Sequence, residues 1–151
     1  MSARQTIDSM HFARSGGWLS GELHGGDLPR LADILARESP CVQYLLSGGM
    51  KSGRPVLHLE IQATVRLVCQ RCLESYQEVL ALQREFPVAR DDAELARWEG
   101  EEPLLEALVA EQRMSVPELV EDEILLSLPL VPRHPEGTCR REPAGNGAVV
   151  G

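Results

Sequence analysis

Aromatic residues make up only 4% of this 151-residue chain. No core can be built around large rings, so Leu, Val, Ile and Ala must supply the buried volume. No segment approaches the roughly 20 apolar residues of a membrane span. The opening "MSARQTIDSMHFARSGGW" also lacks the apolar run of a signal peptide. The expectation is a cytoplasmic protein with no membrane partner. Basic residues are outnumbered 15 to 23, a formal net charge of −8. That balance disfavours broad affinity for nucleic acid, which depends on Lys and Arg displacing counterions. There are only four cysteines. In a reducing compartment two that lie close together point to metal or redox chemistry before a structural disulfide.

The length suits one core and not two. The reading is a single domain over residues 1–139, with a disordered tail at 140–151. No internal repeat is visible. Charge is segregated: between Asp91 and Glu123 twelve acidic residues accompany two basic ones, a net of −10, while the remainder carries +2. This stretch reads as a solvated loop and helix face, acidic loop or helix over about 91–113, or as a docking surface for a basic partner.

The strongest periodicity lies in "PVLHLEIQATVRLVC". Leu57, Leu59, Ile61, Ala63, Val65, Leu67 and Cys69 share one face, and His58, Glu60, Gln62, Thr64 and Arg66 the other, the mark of an antiparallel strand buried on one side. Flat, it would run roughly 45 Å at about 3.3 Å per residue, so the spacing predicts a bent strand or one that serves two sheet regions. "SYQEVLALQREF" can return beside it with Tyr76, Leu80, Leu82 and Phe86 inward. "CVQYLLSGG" reads as a short strand followed by a turn in "GGMKSG".

Helical spacing appears in "GGDLPRLADILARES", with Asp27 as N-cap and Leu28, Leu31, Ile34 and Leu35 apolar. A short helix fits "DDAELARW". In "SVPELVEDEILLSLP", Ser115 and Glu118 form a capping-box pattern, Pro117 is tolerated in the first turn, and Leu119, Val120, Ile124 and Leu128 make the apolar stripe. Three prolines make "LPLVPRHPEGTC" extended. The overall expectation is an α+β domain: an antiparallel, partly closed sheet with one long bent strand and packed helices.

Chemistry centres on "LVCQRCLESY". Cys69 and Cys72, two residues apart at a strand reversal, can converge as thiolates on one tetrahedral ion. His134 and Cys139 in "HPEGTC" would complete a structural zinc site. A redox pair is disfavoured, because no strand leads into a helix N-terminus there. Two small buried thiols remain the plain alternative, and Cys41 reads as a small buried hydrophobe. The run Glu121–Glu123 reads as a solvated helix face, since consecutive helical residues point about 100° apart. His11, His24 and His58 have no ligand-spaced companions, and no motif suggests an enzyme or a small-molecule substrate.

With these residues placed, the chain resembles the bacterial YceD family, the large ribosomal RNA subunit accumulation proteins. The resemblance rests on "CQRCL" at Cys69–Leu73, then "ELVEDEILLSLPLVPRH" at Glu118–His134 followed by Cys139, with "GELHGGDLPRLADIL" near the start. It spans residues 18 to 139. It implies a non-enzymatic factor supporting synthesis, processing or stability of large-subunit (23S) ribosomal RNA, with that RNA or a ribosome-assembly protein as partner. The rival expectation is a zinc-stabilised protein-interaction module that affects rRNA indirectly. Arg66, Arg71, Arg84 and Arg133 are the candidates for phosphate contacts if RNA is touched directly.

Overall fold

The computed structural model describes residues 5–34 and 40–129. Its elements are β1 (Thr6–Ile7), α1 (Ser9–Ser15), β2 (Trp18–Leu23), α2 (Pro29–Ile34), β3 (Cys41–Lys51), β4 (Arg54–Val68), β5 (Ser75–Ala89), α3 (Asp92–Glu101), β6 (Leu108–Val109), β7 (Met114–Ser115) and α4 (Val116–Ser127). The α+β class holds. Five strands form one open sheet in the order β2-β3-β4-β5-β6, and β1 pairs separately with β7. The first four strands are an antiparallel meander, and the two-residue β6 joins in parallel.

The alternation in β4 sets the whole arrangement. Leu57, Leu59, Ile61, Ala63, Val65 and Leu67 are all buried, while His58, Glu60 and Gln62 are exposed. A one-residue slip would exchange these faces, so the pairing register is firmly specified. The strand predicted as short is an eleven-residue β3. It runs through Gly48 and Gly49 to a two-residue turn at Ser52 (φ 55°) and Gly53 (φ 79°). Positive φ at both central residues is the turn geometry that matches the twist of a hairpin.

Helices α1 and α4 pack on the inner face. Ala13 of α1 and Val116, Val120 and Ile124 of α4 are fully buried in one cluster with Val42, Leu46, Leu57, Leu59 and Ile61. The helix α1 begins at Asp8, whose side chain accepts from His11 N at 3.1 Å, and ends at Gly16 (φ 72°). Ser115 caps α4 by accepting from Glu118 N at 3.3 Å, as the sequence pattern predicts. Asp91 likewise caps α3, which contains the expected "DDAELARW" helix.

Two expectations need correction. Cys41 is exposed: the β3 alternation turns Val42, Tyr44 and Leu46 inward and leaves Cys41 and Gln43 on the outer face. Asp27 does not cap α2. It closes a single 3-10 turn at Gly25–Asp27, its carboxylate accepting from His24 N at 3.0 Å.

The two ends of the described chain are fastened together. Thr6 and Ile7 pair with Ser115 and Met114. Val116 N donates to Gln5 O at 3.0 Å, and Ser9 N donates to Glu111 O at 2.9 Å. The fully buried Ser9 hydroxyl accepts from Glu111 N at 2.9 Å.

Candidate functional site

The β4–β5 hairpin outruns its neighbour. Pairing with β3 stops at Thr64↔Cys41, whereas pairing with β5 continues to Val68↔Ser75. Beyond Thr64, therefore, the hairpin is a two-stranded ribbon among the described residues. It has its own small core of Val65, Leu67, Cys69, Cys72 and Tyr76, with Leu128 from the end of α4 packed against it. Long β4 lies in one sheet and contributes side chains to two hydrophobic clusters. A ribbon of two strands is marginal by itself, and packing against Leu128 adds to its hold.

The reversal at that end is tight. Cys69 N donates to Glu74 O at 2.9 Å and Leu73 N to Cys69 O at 2.8 Å. Leu73 carries φ 65° and is exposed. Both Cys69 and Cys72 are buried, and Arg71 N donates to Cys69 Sγ at 3.3 Å. The described residues contain no group of three or more His, Cys, Asp or Glu able to hold a metal ion. His134 and Cys139, the other half of the predicted ligand set, lie outside the described residues, as does Arg133.

The helix α4 departs furthest from expectation. Glu121 and Glu123 were read as a solvated face, yet they are 2% and 8% exposed. Each is reached by an arginine distant in sequence. Glu121 Oε1 accepts from Arg30 Nε at 3.1 Å, and its Oε2 accepts from Leu31 N at 2.8 Å. Leu31 is the third residue of α2, so this carboxylate supplies the cap that Asp27 does not. Glu123 Oε1 accepts from Arg84 Nε at 3.0 Å. Burial pushes the Glu123 carboxyl above its ordinary range, Arg84 opposes that shift, and nearby Glu106 and Asp122 add to it. The signal in the sequence was Arg30 and Arg84, but only the fold brings them to α4.

Arginine placement decides what the surface can grip. Of the nine arginines within the described residues, at least five are ion-paired to carboxylates of the same chain. Arg30 binds Glu121 and Asp122, Arg54 binds Glu102 at 2.7 Å and lies 4.4 Å over the Trp98 ring, Arg84 binds Glu123, and Arg90 and Arg97 share Glu94. The predicted phosphate-binding set is not brought onto one face. Arg84 lies on the helix-covered face of the sheet, opposite Leu59, whereas Arg66 lies on the outer face, opposite Gln77. Arg71 sits at the hairpin reversal, and its Nε is buried with no hydrogen-bond partner among the described residues.

Comparison with known proteins adds a family. Residues 57–150 match the family described as Large ribosomal RNA subunit accumulation protein YceD. A protein of that name from Haemophilus influenzae is 28% identical over 140 residues, covering 89% of this chain and 77% of the relative. No solved structure matches the chain. The matched stretch takes in β4 from Leu57 on, the cysteine reversal, β5 and all of α4.

Proposed function

The chain belongs to the YceD family of large ribosomal RNA subunit accumulation proteins, and from that premise we propose a non-enzymatic ribosome-biogenesis factor. It supports the synthesis, processing or stability of 23S ribosomal RNA in the bacterial cytoplasm, and it does so chiefly through a protein partner. The family match carries the first part. The occupied arginines support the second. Contact with phosphate needs cationic side chains that can displace counterions, and at least five of the nine described arginines already hold carboxylates. Freeing Arg30 or Arg84 would leave the buried carboxylate of Glu121 or Glu123 without its cation, which is costly.

Two measurements test this reading. Deletion of the gene should lower mature 23S RNA more than 16S RNA during rapid or cold growth. Equal levels in deletion strain and parent would count against a role in large-subunit RNA. Affinity capture of the tagged protein from ribonuclease-treated and untreated lysate then separates the two modes. A protein-mediated association survives the nuclease. One bridged by RNA collapses, and Arg66, Arg71 and Arg133 would then be the side chains to replace.

A second reading concerns the hairpin end. Buried Cys69 and Cys72, with an N–H directed at Cys69 Sγ, suit the soft, thiolate-rich donor set of zinc. Together with His134 and Cys139 they would hold the ion. Its contribution there is structural, fastening the end of the two-stranded ribbon.

A further inference from the structure

We infer that the groove between β6, β7 and the first turns of α4 docks a basic segment of a protein partner, an inference that rests on the protein-mediated reading above. Its floor is apolar, formed by Leu108, Val109, Met114 and Leu119, and its rim is acidic, formed by Glu111, Glu118 and Asp122. Its volume is about 230 Å³. That is below the roughly 300–1,000 Å³ of small-molecule pockets, and it suits an anchoring side chain such as leucine or the aliphatic stem of arginine.

Charge complementarity identifies the occupant. Glu106, Glu111 and Glu118 are exposed and carry no ion pair among the described residues. Only Asp122 of the rim is engaged, by Arg30 at 2.7 Å. Exposed Arg113, on the turn before β7, is the single basic residue between Leu108 and Asp122. The acids nearer α3 are different: Glu94, Glu101 and Glu102 have arginine partners. Asp91, Asp92 and Glu99 are exposed as well, but the acids around the groove border an apolar floor. Nucleic acid is repelled by such a rim, whereas a segment alternating Arg or Lys with aliphatic residues matches both rim and floor.

The groove also borders a sheet edge. β6 is last in the strand order, so its outer side is unpaired among the described residues. An extended segment can lie along that edge while an aliphatic side chain enters the groove.

The test uses the full chain and a fluorescent short peptide of alternating arginine and leucine, with an alternating glutamate–leucine peptide as counterpart. The arginine–leucine peptide should bind, with amide shifts confined to Leu108–Val109 and Glu118–Asp122 and an affinity that falls with salt. The double variant Glu111→Lys/Glu118→Lys should weaken binding by about tenfold, or about 1.4 kcal/mol. The control Glu60→Lys/Glu99→Lys, with the same charge change on the outer sheet face and on α3, should bind like the parent. Equal loss in both double variants, or shifts on α3 or the outer sheet face, would overturn the groove. In cells, a deletion that lowers 23S RNA and is fully rescued by Glu111→Lys/Glu118→Lys sinks the groove alone. A deletion with no effect on 23S RNA sinks the function on which it rests.

Discussion

The Glu121 carboxylate on α4 accepts the Leu31 amide of α2 at 2.8 Å, across ninety residues of sequence. One acid therefore caps a helix and locks two helices together. Glu121→Ala would leave the Leu31 N–H buried without an acceptor, at a cost of about 1–3 kcal/mol. Glu121→Gln retains a carbonyl acceptor and should lose less. Urea unfolding of both variants checks the order. Equal midpoints for Glu121→Ala and the parent would remove the cap from the account.

Glu123 makes a prediction about pH. Its folded-state carboxyl titrates above the unfolded value, because burial outweighs the pull of Arg84. The folded state thus holds this proton more tightly than the unfolded chain. The group contributes no penalty below the unfolded value, and a penalty grows as pH rises from there through the raised folded value. Glu123→Gln keeps an acceptor for Arg84 without the charge. It should be more stable than the parent at neutral pH, with the difference vanishing under acid conditions. Glu94 works in the opposite sense: Arg90 holds it below the usual carboxylate range, foremost through the backbone N–H. A Glu123→Gln advantage that stayed constant with pH would refute the assignment.

Gly48 and Gly49 are adjacent yet should respond differently to alanine. A Cβ on Gly48 would overlap the Phe12 carbonyl oxygen and come within 2.7 Å of Ala13 Cα, whereas one on Gly49 meets nothing within 4 Å. Gly48 N also donates to Gly17 O at 2.9 Å. Gly48→Ala must push α1 off β3 and should cost about 1–3 kcal/mol. Gly49→Ala should be close to neutral. Thermal unfolding of the two variants is the check, and equal midpoints would contradict the close approach of α1.

The cysteine reversal predicts a metal content. Purified under reducing, zinc-replete conditions, the protein should carry about one zinc per chain, and less in Cys69→Ser or Cys72→Ser. Chelation should loosen the hairpin end before the main core, read by hydrogen exchange at Leu67–Tyr76. A zinc-free preparation from those conditions would leave the two thiols as small buried residues at a tight turn.

Strands β4 and β5 and helix α4 were legible because each writes its burial into a period that the eye can follow. Elements without room for a period were not. The two-residue strands β1, β6 and β7 owe their existence to what lies beside them, and α1 is signalled only by Asp8 and Gly16 at its ends. Cys41 was misplaced because small residues suit either face of a strand, and only the phase set by Val42 and Tyr44 decides. Glu121 and Glu123 were misplaced for a deeper reason. Acidic residues are rarely buried unless paired, and their partners Arg30 and Arg84 lie in other elements. The candidate groove was equally hidden, because its acids were visible as a charge run but its apolar floor is assembled from β6, β7 and α4.

The meander and the fastening of its ends have unequal histories in the folding of the chain. From β2 to β5 each strand pairs with its immediate successor, so the sheet can grow by closing one modest loop at a time. The Ser9–Glu111 bonds and the β1–β7 pair instead bridge more than a hundred residues, and contacts at that separation are reached slowly. A sheet can therefore form early and wait for its ends. Helix α4, tethered directly after β7, is then delivered late, and with it the side of the groove that carries Glu118 and Asp122.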